Sequence, residues 1–243
     1  NPGARFDYDG QSYEYPDIRL VWWAGGNPFH HHQDLNRMRG AWAKPDTIIV
    51  NEWCWNALAK HADIVLPCTT TLERSDIAIS PKDPYLVVMD QAIKPVGHAR
   101  DDYQIMCGIA AKLGVHEAFT QGRSAAEWQR WIWDVSRQRA SHDGIELPDW
   151  DSFQQSGWFK VPEPKKPTVM MEEFRNDPET NPLATPSGKI EIFSEKIASF
   201  GYDDCPGHAV WLEPFEWLGR ANSDQLHMIS NQPHNKLHSQ LDH

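Results

Sequence analysis

The chain has 243 residues, of which 40% are hydrophobic and 23% charged, a balance that supports a packed core and excludes disordered and fibrous classes. A formal net charge of −11 argues against a nucleic-acid binder, which needs a basic face, and no apolar run reaches the roughly 20 residues of a membrane-spanning helix. The four cysteines, Cys54, Cys68, Cys107 and Cys205, form no C-x-x-C pair, so iron–sulfur and zinc–thiolate frameworks lack support.

In chain order, Asn1 to Arg5 contain no apolar signal core, and the chain reads as if taken from the middle of something longer. The run from Ile18 to Ala24 predicts a strand closed by Gly25-Gly26-Asn27-Pro28. A helix follows through Asp34, Leu35 and Met38 until Gly40 and Pro45 stop it. Thr47 to Val50 predicts a second strand, Trp53 to His61 a helix, and Asp63 to Pro67 a third strand. Short connections between alternating strands and helices predict an α/β fold, a Rossmann-like parallel sheet with flanking helices.

Further on, Tyr85 to Met89 predicts a strand. Asp102 is placed to cap a helix carrying Ile105, Ile109 and Leu113. Ser124-Ala125-Ala126-Glu127 is a capping box ahead of Trp128, Trp131, Ile132 and Val135, whose helical spacing predicts core packing. Prolines punctuate an irregular connection from Trp158 to Gly188; Lys189 to Phe193 then predicts a strand, Ser194 is placed to cap a short helix to Phe200, and Leu226 to Ser230 predicts a last strand. The expected division is a Rossmann-like region over 1–200, in which the segment after about 160 is a connection, then a linker and the start of a further domain over 201–243.

Open α/β sheets bind ligands beyond the carboxyl ends of their strands, which directs attention to Gly25-Gly26-Asn27. Two glycines let a backbone approach an anion and present N–H donors, although this is not a G-x-G-x-x-G fingerprint and also suits a plain strand-to-helix turn. Consecutive histidines, His30-His31-His32, point in different directions and make a poor metal site; with Gln33 and Asp34 they form a polar cluster suited to ligand contact. Glu52, two residues past the second strand, is placed to bind a ribose diol or to stand as a solvated carboxylate. Asp102 reads either as a helix cap or as a base ligand, since a carboxylate accepts from the N1–H and exocyclic amine of guanine. The segment from His234 through Lys236, His238, Ser239 and Gln240 is rich in polar donors that suit a heterocycle or a surface loop. Pro186-Ser187-Gly188-Lys189 lacks the upstream glycine and following hydroxyl of a phosphate loop.

Four ordered blocks carry a resemblance: Trp22 to Asp34; Ala62 to Pro67 with Thr69 to Arg74; Thr185 to Glu191; and Lys236 to Gln240. Together they resemble the molybdopterin oxidoreductases of the dimethyl sulfoxide reductase family, in its trimethylamine N-oxide reductase and biotin sulfoxide reductase branch. The resemblance implies a bis(molybdopterin guanine dinucleotide) molybdenum cofactor and reduction of S-oxides or N-oxides by oxygen-atom transfer. It implies that Gly25, Gly26, Asn27, His31 and Gln33 line one pterin dinucleotide, that Glu52 meets a ribose and Asp102 a guanine, and that His238, Ser239 and Gln240 contact the pterin region. Lys236 stands where relatives often carry arginine and loses its planar fork. The branch holds its metal with a serine in an amino-terminal portion, and no position here matches that motif. The chain is therefore expected to be a central piece that supplies cofactor-binding residues and no metal ligand, and to be inactive and cofactor-free alone. Its expected partners are the remaining parts of the same enzyme, an oxide substrate and an electron donor. The alternative is a non-catalytic guanine-nucleotide-binding or assembly module; a nicotinamide dehydrogenase lacks its glycine fingerprint.

Overall fold

The computed structural model describes residues 2–229 except 165, 168 and 216, together with 231 and 234. The chain divides into two units, residues 19–165 and a second made of residues 1–18 with 166–243.

The second unit opens with an antiparallel hairpin, β1 (Arg5–Tyr8) and β2 (Gln11–Glu14). Asp9 and Gly10 both have positive φ, 48° and 73°, the two-residue turn whose twist matches that of the strands. Gly10 is irreplaceable for a further reason: a Cβ there would lie 2.4 Å from the Phe200 ring. Asp-Gly is a hairpin signal that sequence reading passed over.

In the larger unit, β3 (Leu20–Ala24), β4 (Thr47–Glu52) and β5 (Ile64–Pro67) form a parallel sheet in that order, confirming the expected parallel α/β arrangement of these three runs. Register pairs Trp23 with Val50 and Ala24 with Asn51, then Asn51 with Leu66 and Glu52 with Pro67. Side chains alternate between faces. On one face Ile48 and Val50 form a core with Phe29, Leu58 and Ala59, against which Val21, Trp23, Trp42 and Val65 pack. Trp22 and Asn51 occupy the other face and hydrogen-bond there. Between β3 and β4 lie α1 (Pro28–His31), capped by Asn27, and α2 (Leu35–Trp42), capped by Asp34.

The helix predicted over Trp53–His61 is reduced to a single 3₁₀ turn at Ala59–His61. Two local bonds compete with helix formation: Asn56 Nδ2 donates to Glu52 Oε2, and Asn56 Oδ1 accepts from the Ala59 amide. After β5 the backbone of Cys68 makes an isolated parallel bridge with Arg100, which carries Asp101 and Asp102 to the sheet's carboxyl edge.

A second sheet is antiparallel, with β6 (Asp76–Ser80), β7 (Asp83–Met89) and later β8 (Trp158–Lys160). The strand predicted at Tyr85–Met89 is thus part of a hairpin sheet separate from the parallel one. The helices are α3 (Asp102–Lys112), α4 (His116–Thr120), α5 (Ala125–His142) and α6 (Trp150–Ser156). The Ser124–Glu127 capping box opens α5 as predicted. Its predicted core stripe is corrected: Trp131 and Ile132 are exposed, and the Arg123 guanidinium covers Trp128 and Trp131. The helix instead buries Trp133, stacked on Phe153 and set edge-on to Trp150, against Ile77, Leu86, Val88 and Phe159 of the antiparallel sheet.

In the second unit again, α7 (Glu172–Asn176) and α8 (Glu195–Ala198) follow, the latter capped by Ser194 as predicted. Lys189–Phe193 is not a strand. Its apolar side chains have no sheet to cover them, Ile192 being 87% exposed, and Glu191 is turned back to accept from the Ser187 amide. Leu226 to Ile229 likewise form no strand, and Ser230 lies outside the described residues.

Candidate functional site

The carboxyl rim of the parallel sheet gathers most of the predicted ligand residues. Ala24 ends β3 in register with Asn51, so Gly25 and Gly26 leave the sheet beside Glu52, the last residue of β4. Both glycines have positive φ, 84° and 74°, and a Cβ on Gly25 would meet nothing within 4 Å. The requirement at Gly25 is therefore conformational, and the backbone outside it is open to a ligand.

Asn27 is buried at 3% exposure, and its two side-chain ends differ sharply. Oδ1 accepts from the Phe29 amide at 3.1 Å, which caps α1, while Nδ2 is buried without a partner. The indole Nε1 of Trp23, in β3 just ahead of the turn, is buried without a partner as well; a Cβ on Gly26 would lie 3.8 Å from it. Two unpaired donors beside a twin-glycine turn cost about 1–3 kcal/mol each while unmatched, an expense that an acceptor-rich ligand would remove.

Glu52 is almost fully buried. Its Oε1 accepts from the Trp53 amide at 3.0 Å and its Oε2 from Asn56 Nδ2 at 2.7 Å, so the carboxylate shapes the loop after β4 while each oxygen keeps a second lone pair. Asp102 is exposed at the first position of α3. The expectation that it caps this helix is corrected: Asp101 is the cap, its Oδ1 accepting from the Gln104 amide at 2.8 Å. Asp102 Oδ1 instead accepts from Asn51 Nδ2 at 2.7 Å.

Cys68, just past β5, lies within the electrostatic reach of both carboxylates. Burial first, then the negative fields of Asp102 and Glu52, push its thiol up to about 11. Cys54 is raised by the same two causes, burial and Glu52. Both shifts favour the protonated thiol over the thiolate at neutral pH.

His31 ends α1 and is exposed, and Gln33 is exposed just beyond it, one residue before the Asp34 cap. His238, Ser239 and Gln240 lie outside the described residues, as does Lys236. Trp22, Trp23 and Asn51 were missed by sequence reading. The one available signal was Asn51 itself, a polar residue abutting an apolar strand run immediately before the acid. Among the described residues, no group of three or more His, Cys, Asp or Glu side chains is placed to hold a metal ion, and no helix is long and apolar enough to cross a membrane.

Residues 6–112, the hairpin and the whole parallel sheet with its rim, match the molybdopterin oxidoreductase family. The chain carries that match over somewhat less than half of its length. It is 47% identical over 243 residues to a biotin sulfoxide reductase of Cereibacter sphaeroides, covering all of this chain and 32% of that one. It is 42% identical to a dimethyl sulfoxide/trimethylamine N-oxide reductase of Rhodobacter capsulatus and 41% identical to a trimethylamine-N-oxide reductase of Haemophilus influenzae, covering 30% of each. The chain thus spans about a third of the length of the curated relatives it matches. Among solved structures, acetylene hydratase from Pelobacter acetylenicus matches 84% of this chain and 25% of its own, with a TM-score of 0.53 at 22% identity, a likeness of fold alone.

The family implies a molybdenum–molybdopterin cofactor, and the rim's chemistry fits one of its parts. A phosphate or pterin carbonyl presents acceptors, and the unpaired Trp23 and Asn27 donors beside an open glycine backbone are the complementary set.

Proposed function

We propose that this chain is the cofactor-binding central part of a molybdenum oxidoreductase that reduces S-oxides or N-oxides, among them trimethylamine N-oxide, dimethyl sulfoxide, and biotin or methionine sulfoxide. The names of its relatives and the unpaired donors at the rim support this reading. The chemistry that the cofactor supplies when bound is removal of an oxygen atom from the oxide, coupled to two electrons and two protons. We read the cofactor as the bis(molybdopterin guanine dinucleotide) form and the parallel sheet as the Rossmann-like half that carries one dinucleotide.

On this reading each residue has a binding role. The Gly25–Gly26 backbone and Asn27 Nδ2 donate to the phosphate and pterin acceptors, with His31 and Gln33 closing over the same ligand. Glu52 uses its remaining lone pairs on a ribose diol, and Asp102 accepts from a guanine edge. His238, Ser239 and Gln240 contact the pterin region. The acidic net charge does not oppose this, because backbone amides supply local positive potential. The other parts of the enzyme supply the metal ligand and the path to an electron donor.

The single observation that carries the proposal is the buried, unpartnered Nδ2 of Asn27 behind the twin glycines. The test compares wild type with Asn27→Leu in the complete polypeptide, measuring molybdenum, pterin and released guanine nucleotide, then turnover of each oxide with a reduced dye. Wild type should contain all three and turn over at least one oxide, and the variant should lose most of its pterin while keeping its fold. Guanine nucleotide bound without pterin or metal would favour the assembly-module alternative and overturn the proposal.

A further inference from the structure

Asn51 has a role that Glu52 and Asp102 do not explain by themselves. It is 5% exposed, near the end of the middle strand, and both ends of its amide are engaged. Trp22 Nε1 donates to Asn51 Oδ1 at 3.0 Å, and Asn51 Nδ2 donates to Asp102 Oδ1 at 2.7 Å. An indole nitrogen can only donate, so it admits only the oxygen end of the amide. The reversed amide would set N–H against N–H at Trp22 and a carbonyl against a carboxylate at Asp102. Only one orientation survives, and it dictates that Asp102 Oδ1 accepts.

Asp102 is thereby fixed in direction and in role. Because Asp101 caps α3, none of the Asp102 carboxylate is spent on that helix. Its Oδ2 and the second lone pair of Oδ1 remain available on an exposed residue at the rim.

We propose that Asn51, oriented by Trp22, is a positioning residue that holds Asp102 as an acceptor and so gives the site its preference for a purine edge bearing two N–H donors. This rests on the reading of Asp102 as the base ligand. A freely rotating carboxylate would have to be ordered anew for each bidentate contact, whereas the relay has already ordered it. Trp22 sits 29 residues before Asn51 in the chain, and Asn51 sits 51 before Asp102, so the relay exists only once β3, β4 and the start of α3 are in register.

The test uses GMP, IMP and AMP as probes, with binding to the cofactor-free full chain measured by titration calorimetry. GMP offers two donors on the relevant edge, IMP one, and AMP an acceptor where the other two carry N1–H. Wild type should bind in that order. Asn51→Leu, of similar volume, should weaken GMP by about tenfold, the worth of one oriented hydrogen bond to a charged group, and leave AMP unchanged. Trp22→Phe keeps the ring and deletes only the donor, so it should lower the GMP-to-AMP ratio in the same direction, and it carries the test if the leucine variant does not fold. Equal losses for all three nucleotides would mark a merely structural role and overturn the inference. So would a wild-type preference retained in both variants, with the reading of Asp102 left standing. No GMP preference in wild type would overturn that reading and the relay together.

Discussion

Phe153→Ala tests whether the aromatic cluster beneath the antiparallel sheet is what holds that part of the larger unit together. Phe153 is fully buried, its ring 3.8 Å from that of Trp133 at an interplanar angle of 8°, with Trp150 beside both. Losing about 150 Å² of ring surface at about 25 cal/mol per Å² forfeits about 4 kcal/mol, and the stacked pair adds about 1 kcal/mol. The sum sits at the upper end of the roughly 3–5 kcal/mol seen for such truncations, as expected where two rigid indoles cannot close the gap. That is a large share of the roughly 5–15 kcal/mol that stabilises a typical domain. Urea unfolding followed by tryptophan fluorescence is the assay, since Trp133 and Trp150 line the cavity created. With a slope of about 2 kcal/mol per M, a loss of about 5 kcal/mol should lower the midpoint by about 2.5 M. Phe153→Leu should recover most of the loss. A fall of less than about 1.5 kcal/mol for the alanine variant would refute the view that this stack is the core's centre.

Three further outcomes follow from the same geometry. Asp101→Ala should cost about 1 kcal/mol by uncapping α3, and Asp102→Ala less, in thermal melts; the reverse order would return the cap to Asp102. In native protein at pH 8, alkylation followed by mass spectrometry should label exposed Cys205 well before Cys68; because the Cys68 folded-state pKa is raised, its contribution to stability is complete below the ordinary thiol range and is lost as pH climbs towards about 11. Glu73 accepts from the Thr70 and Val96 amides and the Thr70 hydroxyl, which hold its carboxyl below the usual range. Glu73→Gln should therefore lower the melting temperature at pH 7, and the difference should shrink as acid takes wild type down through that depressed pKa; an unchanged gap at low pH would contradict the assignment.

Much of the site was legible before folding was considered. The β-branched and aromatic runs at 20–24, 47–50 and 64–67 announce themselves by composition, although only the middle one, β4, is largely buried. Gly25-Gly26 and Glu52 followed from the rule that strand ends bear ligands. Caps at Asn27, Asp34, Ser124 and Ser194 act within three residues, so local reading can find them; those at Ser124 and Ser194 were found, Asn27 and Asp34 were not named as caps, and Asp102 was named where Asp101 caps, since either carboxylate suits the position. Lys189–Phe193 has strand composition but no facing ladder, and composition does not provide a partner.

What the amino-acid order determines here is which short runs extend, where helices begin, and which acid ends the middle strand. What only the tertiary structure decides is which side chains meet: that Trp133 rather than Trp131 turns inward, that Trp23 and Asn27 keep unmatched donors, and that Trp22 reaches Asp102 through Asn51. The reason is that strand pairing converts a one-residue choice of register into a change of face. Contacts across tens of residues are therefore set by the sheet as a whole and by no segment alone.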